Sequence, residues 1–331
     1  MRSKQPIVSI IIPFYNAKNT LAFCLKSLSD VSYKNLQFIF IDDCSVDNGA
    51  TQVEEFLAKQ SKDKSSILIR HSVNMGVASA RNTGLDHAIG EYILYVDADD
   101  KLAANAIGKL VDCALTNHAD IVGFNWYLEF ETNKRKMPQP KFQSPREALE
   151  NMINGTMRWN LWIFLVKRAL YEDNNIRFLP GMNMGEDLMV MIKLFASAEN
   201  VVYADKYFYH YRQSNKESLT KTYSEAHMQQ VSENLNEAIE FLKDTIYWND
   251  LAKFTHYLKL NIKLPLLISP KYASYRRWLT WFSESNRYAG KNPNISWRTR
   301  MLEHCAYRRY FFAIKLYYYV VIRVVYGIIY K

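Results

Sequence analysis

Four apolar runs punctuate the first hundred residues, and a helix-length stretch separates each from the next. They are Ile7–Pro13, Leu36–Asp42, Ser66–Arg70 and Tyr92–Val96. Apolar runs of this length with abrupt polar borders read as strands buried on both faces. The stretches between them, roughly Thr20–Ser29, Val46–Ser61 and the segment opening at Asn74, read as helices. Strands alternating with helices predict right-handed βαβ units, hence an α/β fold with a Rossmann-like, mostly parallel central sheet flanked by helices. Pro13, with no amide and a fixed φ, marks the end of the first central strand. Loops at the carboxyl ends of such strands are where open α/β sheets hold ligands. Two of the four runs land there on carboxylates: Asp42-Asp43 and Asp97-Ala98-Asp99-Asp100.

Three carboxylates within four positions repel one another unless a cation or hydrogen-bond donors neutralise them. Hard oxygen ligands at that density suit Mg²⁺ or Mn²⁺, ions that also take oxygens from substrate phosphates. A blander reading stays open, in which Asp100 caps a helix over Lys101–Leu115. The segment Asn74-Met-Gly76-Val-Ala-Ser-Ala-Arg81-Asn82-Thr-Gly84 supplies small residues that permit close backbone approach. It is not G-x-G-x-x-G, and no G-x4-G-K-[ST] occurs, so the familiar nucleotide loops are absent.

Taken in order, Pro6–Asn16, Asp42-Asp43-x-Ser45, Asn74-x-Gly76-x4-Arg81-Asn82-x-Gly84 and Asp97-x-Asp99-Asp100 resemble the GT-A fold glycosyltransferases of family 2. The resemblance implies a nucleotide-sugar site, usually for a UDP-sugar, assembled from these loops, with Pro13 and Tyr15 among its residues. It implies Asp97 at the ribose and Asp99 on a Mn²⁺ or Mg²⁺ ion that bridges the diphosphate, with Asp100 near the sugar or behind the ligands. The residue chemistry is compatible: Asp43 can accept from a uracil imide, and Tyr15 offers a ring face or a hydroxyl. Arg81 can pair with a phosphate or carboxylate through its planar fork, or form a salt bridge to Asp42 or Asp97 that shapes the site. Asn74 and Asn82 read as loop and cap residues.

Further along, Asp120–Phe130 reads as a strand and Asn133–Pro145 as a basic hairpin or loop. Gly185-Glu186-Asp187 opens an amphipathic helix reaching Phe195, where acidic residues are also favoured electrostatically. Its place after the aspartate loop resembles the family's catalytic Glu-Asp motif. An inverting transfer then needs a general base opposite the leaving diphosphate. Asp187 is that base on this reading, with Glu186 contacting sugar hydroxyls. The segment Tyr207–Thr220 looks like the family's Tyr-x-Tyr-Arg stretch, in which Arg212 and Lys216 are phosphate candidates. His210 is either a third metal ligand or a structural histidine. Trp126, Trp159 and Trp162 either line an acceptor cleft or pack as core.

The chain has 331 residues and a net charge of +9. The expected division is a GT-A domain over 1–220, with a donor half (1–115) and an acceptor half (116–220), then a mostly helical region over 221–331. Within that region, Tyr223–Trp248 and Leu251–Leu264 read as helices. Positive charge gathers at the end, where Arg298, Arg300, Arg308, Arg309, Lys315, Arg323 and Lys331 face Glu303 alone. From Tyr307 onward, Tyr, Phe, Val and Ile alternate with these cations as one amphipathic helix would, too often interrupted for a spanning segment. A basic aromatic helix in an anionic membrane interface is expected, with packing in a homodimer as the other reading. The acidic donor motifs speak against nucleic acid as partner. The first residues carry no apolar signal segment, and four isolated cysteines show neither a disulfide framework nor zinc spacing. The expected setting is cytoplasmic, peripheral on the inner face of the cell membrane. The expected activity is transfer from a UDP-sugar to a glycan or lipid-linked oligosaccharide in cell-surface polysaccharide synthesis. The alternatives are a soluble or protein acceptor, with the tail serving dimerisation, and an inactive nucleotide-binding scaffold.

Overall fold

The computed structural model describes residues 5–59, 65–213 and 224–325. The chain divides into two compact units, one made of Met1–Ala148 with Trp159–Leu242 and the other of Leu149–Arg158 with Lys243–Lys331.

The first unit is built on one nine-stranded sheet. Its first strands are β1 (Val8–Phe14), β2 (Leu36–Asp42), β3 (Ile67–Arg70) and β4 (Tyr92–Tyr95). The helices between them are α1 (Lys18–Ser29), α2 (Gly49–Lys59) and α3 (Val77–Asp86). Order β3-β2-β1-β4 with every pairing parallel is the expected βαβ arrangement. The chain runs outward from β1 to β3, then returns to β1's other side at β4. That reversal opens a crevice beyond the carboxyl ends of β1 and β4. β1 includes Pro13 and continues one residue further, because at Pro13 only β2 remains as a paired neighbour; the ladder to β4 ends at Ile11.

Beyond β4 the sheet becomes mixed. The added strands are β5 (Lys101–Leu102), β6 (Ile121–Glu129), β7 (Lys134–Met137), β8 (Phe164–Lys167) and β9 (Val201–Arg212). β8 is antiparallel to both β4 and β6, while β6 and β9 run parallel. β7 forms a hairpin with β6, so the basic segment after Asn133 is a hairpin arm. Helices α4 (Ala106–Thr116), α5 (Pro145–Ile153), α6 (Arg168–Asp173), α7 (Glu186–Ser197) and α8 (Glu225–Lys243) follow in chain order.

Two expectations are corrected here. The helix after Asp100 begins at Ala106, not Lys101, because Lys101 and Leu102 pair with β9 as β5. The helix after Asp43 begins at Gly49, not Val46, because Asp47 is tied down: its oxygens accept from the amides of Lys18 and Gly49 at 2.8 and 2.9 Å.

The second unit is helical, with α9 (Trp248–Leu251), α10 (Thr255–Lys263), α11 (Tyr272–Thr280), α12 (Trp297–Tyr307) and α13 (Phe311–Tyr317). Its centre holds Lys263, 0% exposed, whose ammonium donates to the carbonyls of Trp278, Trp281 and Phe282 and to Asn286 Oδ1. The tail is not one helix. Arg309 turns left-handed (φ 62°) between α12 and α13, and a π-helical segment, Tyr318–Val325, follows. Arg308 and Arg309 therefore belong to a turn, and a single helical wheel does not describe their relation to Lys315 and Arg323. Lys331 lies outside the described residues.

Candidate active site

The crevice beyond β1 and β4 collects most of the residues singled out by sequence. Tyr15, 51% exposed, follows the last residue of β1. Beside it, the Asp43 amide donates to the Phe14 carbonyl at 2.9 Å. Asp43 itself is buried, with both oxygens engaged: Oδ1 receives Met75 N–H at 2.9 Å and lies 2.7 Å from His71 Nδ1, and Oδ2 receives Gly76 N–H at 2.7 Å. Its first task is to fold the loop from His71 to Gly76. His71 extends that task by reaching Thr83 of α3 with its other ring nitrogen, at 2.9 Å.

The loop and the helix α3 that follows it need their glycines for different reasons. Gly76 has φ +84°, and a Cβ there would meet the Asn183 amide at 2.2 Å. Gly84 lets α3 lie against β1, since a Cβ would sit 2.4 Å from Ile11 Cγ2. So placed, α3 projects Arg81 across the crevice. Its Nη1 donates to Glu186 Oε1 at 2.6 Å and to Asp187 Oδ1 at 2.7 Å, and Nη2 stands 3.9 Å from Asp97. Burial alone would weaken the guanidinium's hold on its proton; Asp187, Glu186 and Asp97 outweigh it and raise its pKa. Asn82 binds the Phe178 backbone twice, at 2.8 and 2.9 Å, and Asn183 accepts from the Ala78 amide at 3.0 Å. Arg81, Asn82 and Asn183 together clamp α3 to the segment that enters α7. That segment is held from behind by α8, whose Asn234 donates to the carbonyls of Met182 and Met184 at 3.1 and 2.9 Å.

Electrostatically the site is overloaded with carboxylates. Burial pushes Glu186 above the ordinary glutamate range; Asp187 raises it further and Arg81 opposes. Asp97 is likewise raised, by burial first, with Arg81 opposing and Asp99 and Asp187 adding to the rise. Asp97 and Asp99 are half-buried on the loop after β4, and among the described residues no set of three His, Cys, Asp or Glu side chains could hold a metal. A carboxylate such as that of Asp99 is a hard oxygen donor of the kind Mg²⁺ or Mn²⁺ takes beside phosphate oxygens.

Asp100 is not the cap of a helix. It is 0% exposed, and its oxygens accept from the Tyr209 hydroxyl at 2.9 Å and the Arg212 amide at 2.8 Å. Arg212 lays its guanidinium on Phe23, 3.9 Å from the ring centroid. Lys216 lies outside the described residues. His210 stands apart from the aspartates. Tyr209 points at the aspartate loop, so its strand neighbour projects from the opposite face. There His210 Nδ1 meets Glu129 at 2.8 Å and its ring stacks on Tyr127. Trp126 and Trp162 are buried core, Trp162 stacking on Tyr209 at 4.3 Å, whereas Trp159 is half-buried. Sequence reasoning missed His71, Asn183 and the hydroxyl of Tyr209. Only the strand alternation of 207–212 pointed toward the last of these.

The model of the family described as glycosyl transferase family 2 matches residues 9–195. The chain belongs to that family. Its relatives include the uncharacterized glycosyltransferase EpsJ of Bacillus subtilis, 30% identical over 65% of this chain and 63% of EpsJ. The match thus spans less than two thirds of that relative's length. Among solved structures, Staphylococcus aureus TarS residues 1–349 in complex with UDP-GlcNAc superposes with a TM-score of 0.70 at 19% identity, covering 94% of this chain and 91% of that one. The mannosyltransferase PcManGT of Pyrobaculum calidifontis, in complex with GDP-Man and Mn²⁺, gives 0.57 at 16% identity, over 96% and 88%. At these identities the likeness is one of fold, the GT-A fold.

Proposed function

We propose that this family 2 enzyme transfers a sugar from a UDP-sugar to a hydroxyl of a glycan or lipid-linked oligosaccharide, with inversion and with a divalent ion. The observation that carries this reading is the Arg81 bridge, which ties Glu186 and Asp187 of α7 to Asp97 of the aspartate loop. A donor-binding loop and a proton acceptor held to one another by a buried cation are what an in-line displacement requires.

In this reading Pro13 and Tyr15 line the base side of the crevice and Asp43 shapes it, keeping lone pairs for a uracil imide. Asp97 takes the ribose, and Arg212 the diphosphate. Asp99 would hold Mn²⁺ or Mg²⁺, which when bound supplies Lewis-acid stabilisation of the departing diphosphate. The acceptor oxygen attacks the anomeric carbon on the face opposite the diphosphate. The new C–O bond forms as the old one breaks, and Asp187 takes the acceptor's proton. Glu186 contacts a sugar hydroxyl. Arg81 keeps Asp187 aimed. GDP-Man in PcManGT and UDP-GlcNAc in TarS set the donors to try first.

We place the reaction at the inner, cytoplasmic face of the cell membrane, in cell-surface polysaccharide synthesis. Phe312, Leu316, Tyr319 and Val320 expose 74%, 53%, 40% and 50% of their surfaces, in the segment that also carries Lys315 and Arg323. No helix among the described residues is long and apolar enough to cross a membrane. An apolar stripe with cations beside it supports interfacial binding to anionic lipid.

The test is hydrolysis and transfer with a panel of UDP-sugars plus GDP-mannose, with Mn²⁺ and with EDTA. One UDP-sugar should turn over, and EDTA should stop it. Turnover of GDP-mannose alone, or undiminished rates in EDTA, contradicts the reading.

A further inference from the structure

Behind the aspartate loop lies a buried contact whose chemistry has one solution. The Asp97 amide lies 3.0 Å from the Tyr209 hydroxyl oxygen. An amide can only donate, so the hydroxyl must accept there and send its single proton elsewhere. Asp100 Oδ2, 2.9 Å away, receives it. The other oxygen of Asp100 accepts the Arg212 amide at 2.8 Å. Tyr209 and Asp100 are both 0% exposed. The tyrosine ring is fixed in turn by Trp162, stacked at 4.3 Å with planes 12° apart. The Asp97 amide and the Asp100 carboxylate thus pin both ends of the turn to Tyr209, and Leu102, just beyond it, pairs with the same residue across β5 and β9. A buried carboxylate is costly unless hydrogen-bonded. Here it joins the aspartate loop to the end of the strand that delivers Arg212.

We propose that Tyr209 is a positioning residue: its hydroxyl, with Asp100 beneath it, sets the turn that aims Asp97 at the donor ribose and Asp99 at the donor diphosphate. The inference rests on the donor-site reading above and goes beyond it. Tyr209 touches no reacting atom; it acts through the loop. Without the hydroxyl, the Asp97 amide and Asp100 Oδ2 each lose a partner while the ring and its stack remain. The turn then samples other positions, and ligands that need the aspartates suffer while ligands that need only the base side do not.

Tyr209→Phe separates these, with three readouts: affinity for UDP, affinity for uracil, and hydrogen exchange of the Asp97 amide. We expect UDP with Mn²⁺ to bind about tenfold more weakly, the scale of one hydrogen bond. Uracil, which lacks both the ribose and the diphosphate, should bind as it does to the parent protein, and the Asp97 amide should exchange faster. Asp100→Asn, which keeps the side chain's size, should shift the same three quantities in the same directions and serves if Tyr209→Phe does not fold. A purely structural role would lower the melting temperature and leave the UDP-to-uracil ratio unchanged; that ratio unchanged, or an unaltered Asp97 exchange rate, overturns the proposal. If UDP binding by the parent protein is indifferent to metal, the assignment of Asp99 fails on its own, and the Tyr209→Phe ratio measured without metal still decides the latch.

Discussion

At the scale of single residues, the site's chemistry follows from too many carboxylates around one guanidinium. Glu186 lies above the ordinary range because burial and Asp187 disfavour its charge more than Arg81 favours it. A carboxyl whose folded pKa exceeds its unfolded one binds more protons when folded. Its contribution to stability is therefore present at low pH and lost as pH rises through the folded value. The metal-free protein should accordingly melt at lower temperature at pH 8 than at pH 6, and Glu186→Gln should reduce that slope. Melting curves of the two proteins across this range measure it; parallel slopes would remove Glu186 as a titrating group. Asp187 and Arg81 were both visible as candidates in the sequence, but their meeting was not. They are far apart in the chain, and Arg81's choice of Glu186 and Asp187 over Asp42 is a matter of where α3 points.

At the scale of elements, the donor half was legible because its signals are local. Four apolar runs with polar ends can only be strands, and their alternation with helices leaves a parallel sheet as the simplest outcome. The errors fall where a long-range partner overrides a local preference. Asp100 looks like an N-cap, yet Tyr209 and Arg212 claim its oxygens and Lys101–Leu102 joins the sheet. Of the two readings open for His210, strand alternation favours the structural one, turning it away from the aspartates and toward Glu129. The tail looks like one helix, yet the left-handed Arg309 breaks it. Packing of α3 against β1 is the element-level feature that activity depends on. Gly84→Ala would push a methyl to 2.4 Å from Ile11 Cγ2, an overpacking expected to cost about 1–3 kcal/mol. Because α3 carries Arg81, transfer should fall along with stability, and a denaturant titration beside a rate assay checks both. Full activity in this variant would mean that the exact seat of α3 is unimportant.

For the molecule as a whole, the reacting groups lie within the first unit and the membrane-facing proposal within the second, so the two can be tested separately. Deleting the tail is a poor test, because Leu302, Glu303 and Ala306 are buried and Glu303 accepts the Gly290 amide at 2.9 Å. Exposed positions are better. Replacing Arg308, Arg309 and Arg323 by Glu should release the protein from anionic vesicles in a flotation assay, each cation contributing about 1 kcal/mol near the surface. Moderate salt should mimic the effect through screening. Donor hydrolysis should persist. Unchanged flotation, with a dimer converted to a monomer, would favour the dimer reading of the tail.

The central claim is a division of labour between Asp99 at the donor diphosphate and Asp187 at the acceptor proton. It is tested most directly by measuring UDP affinity and sugar transfer side by side in Asp99→Ala and Asp187→Asn. Asp99→Ala should lose metal-dependent UDP binding and transfer together. Asp187→Asn should bind UDP like the parent protein while transfer falls at least about 10²-fold, the scale of a lost general base. Normal transfer by Asp187→Asn, or normal metal-dependent UDP binding by Asp99→Ala, would contradict it.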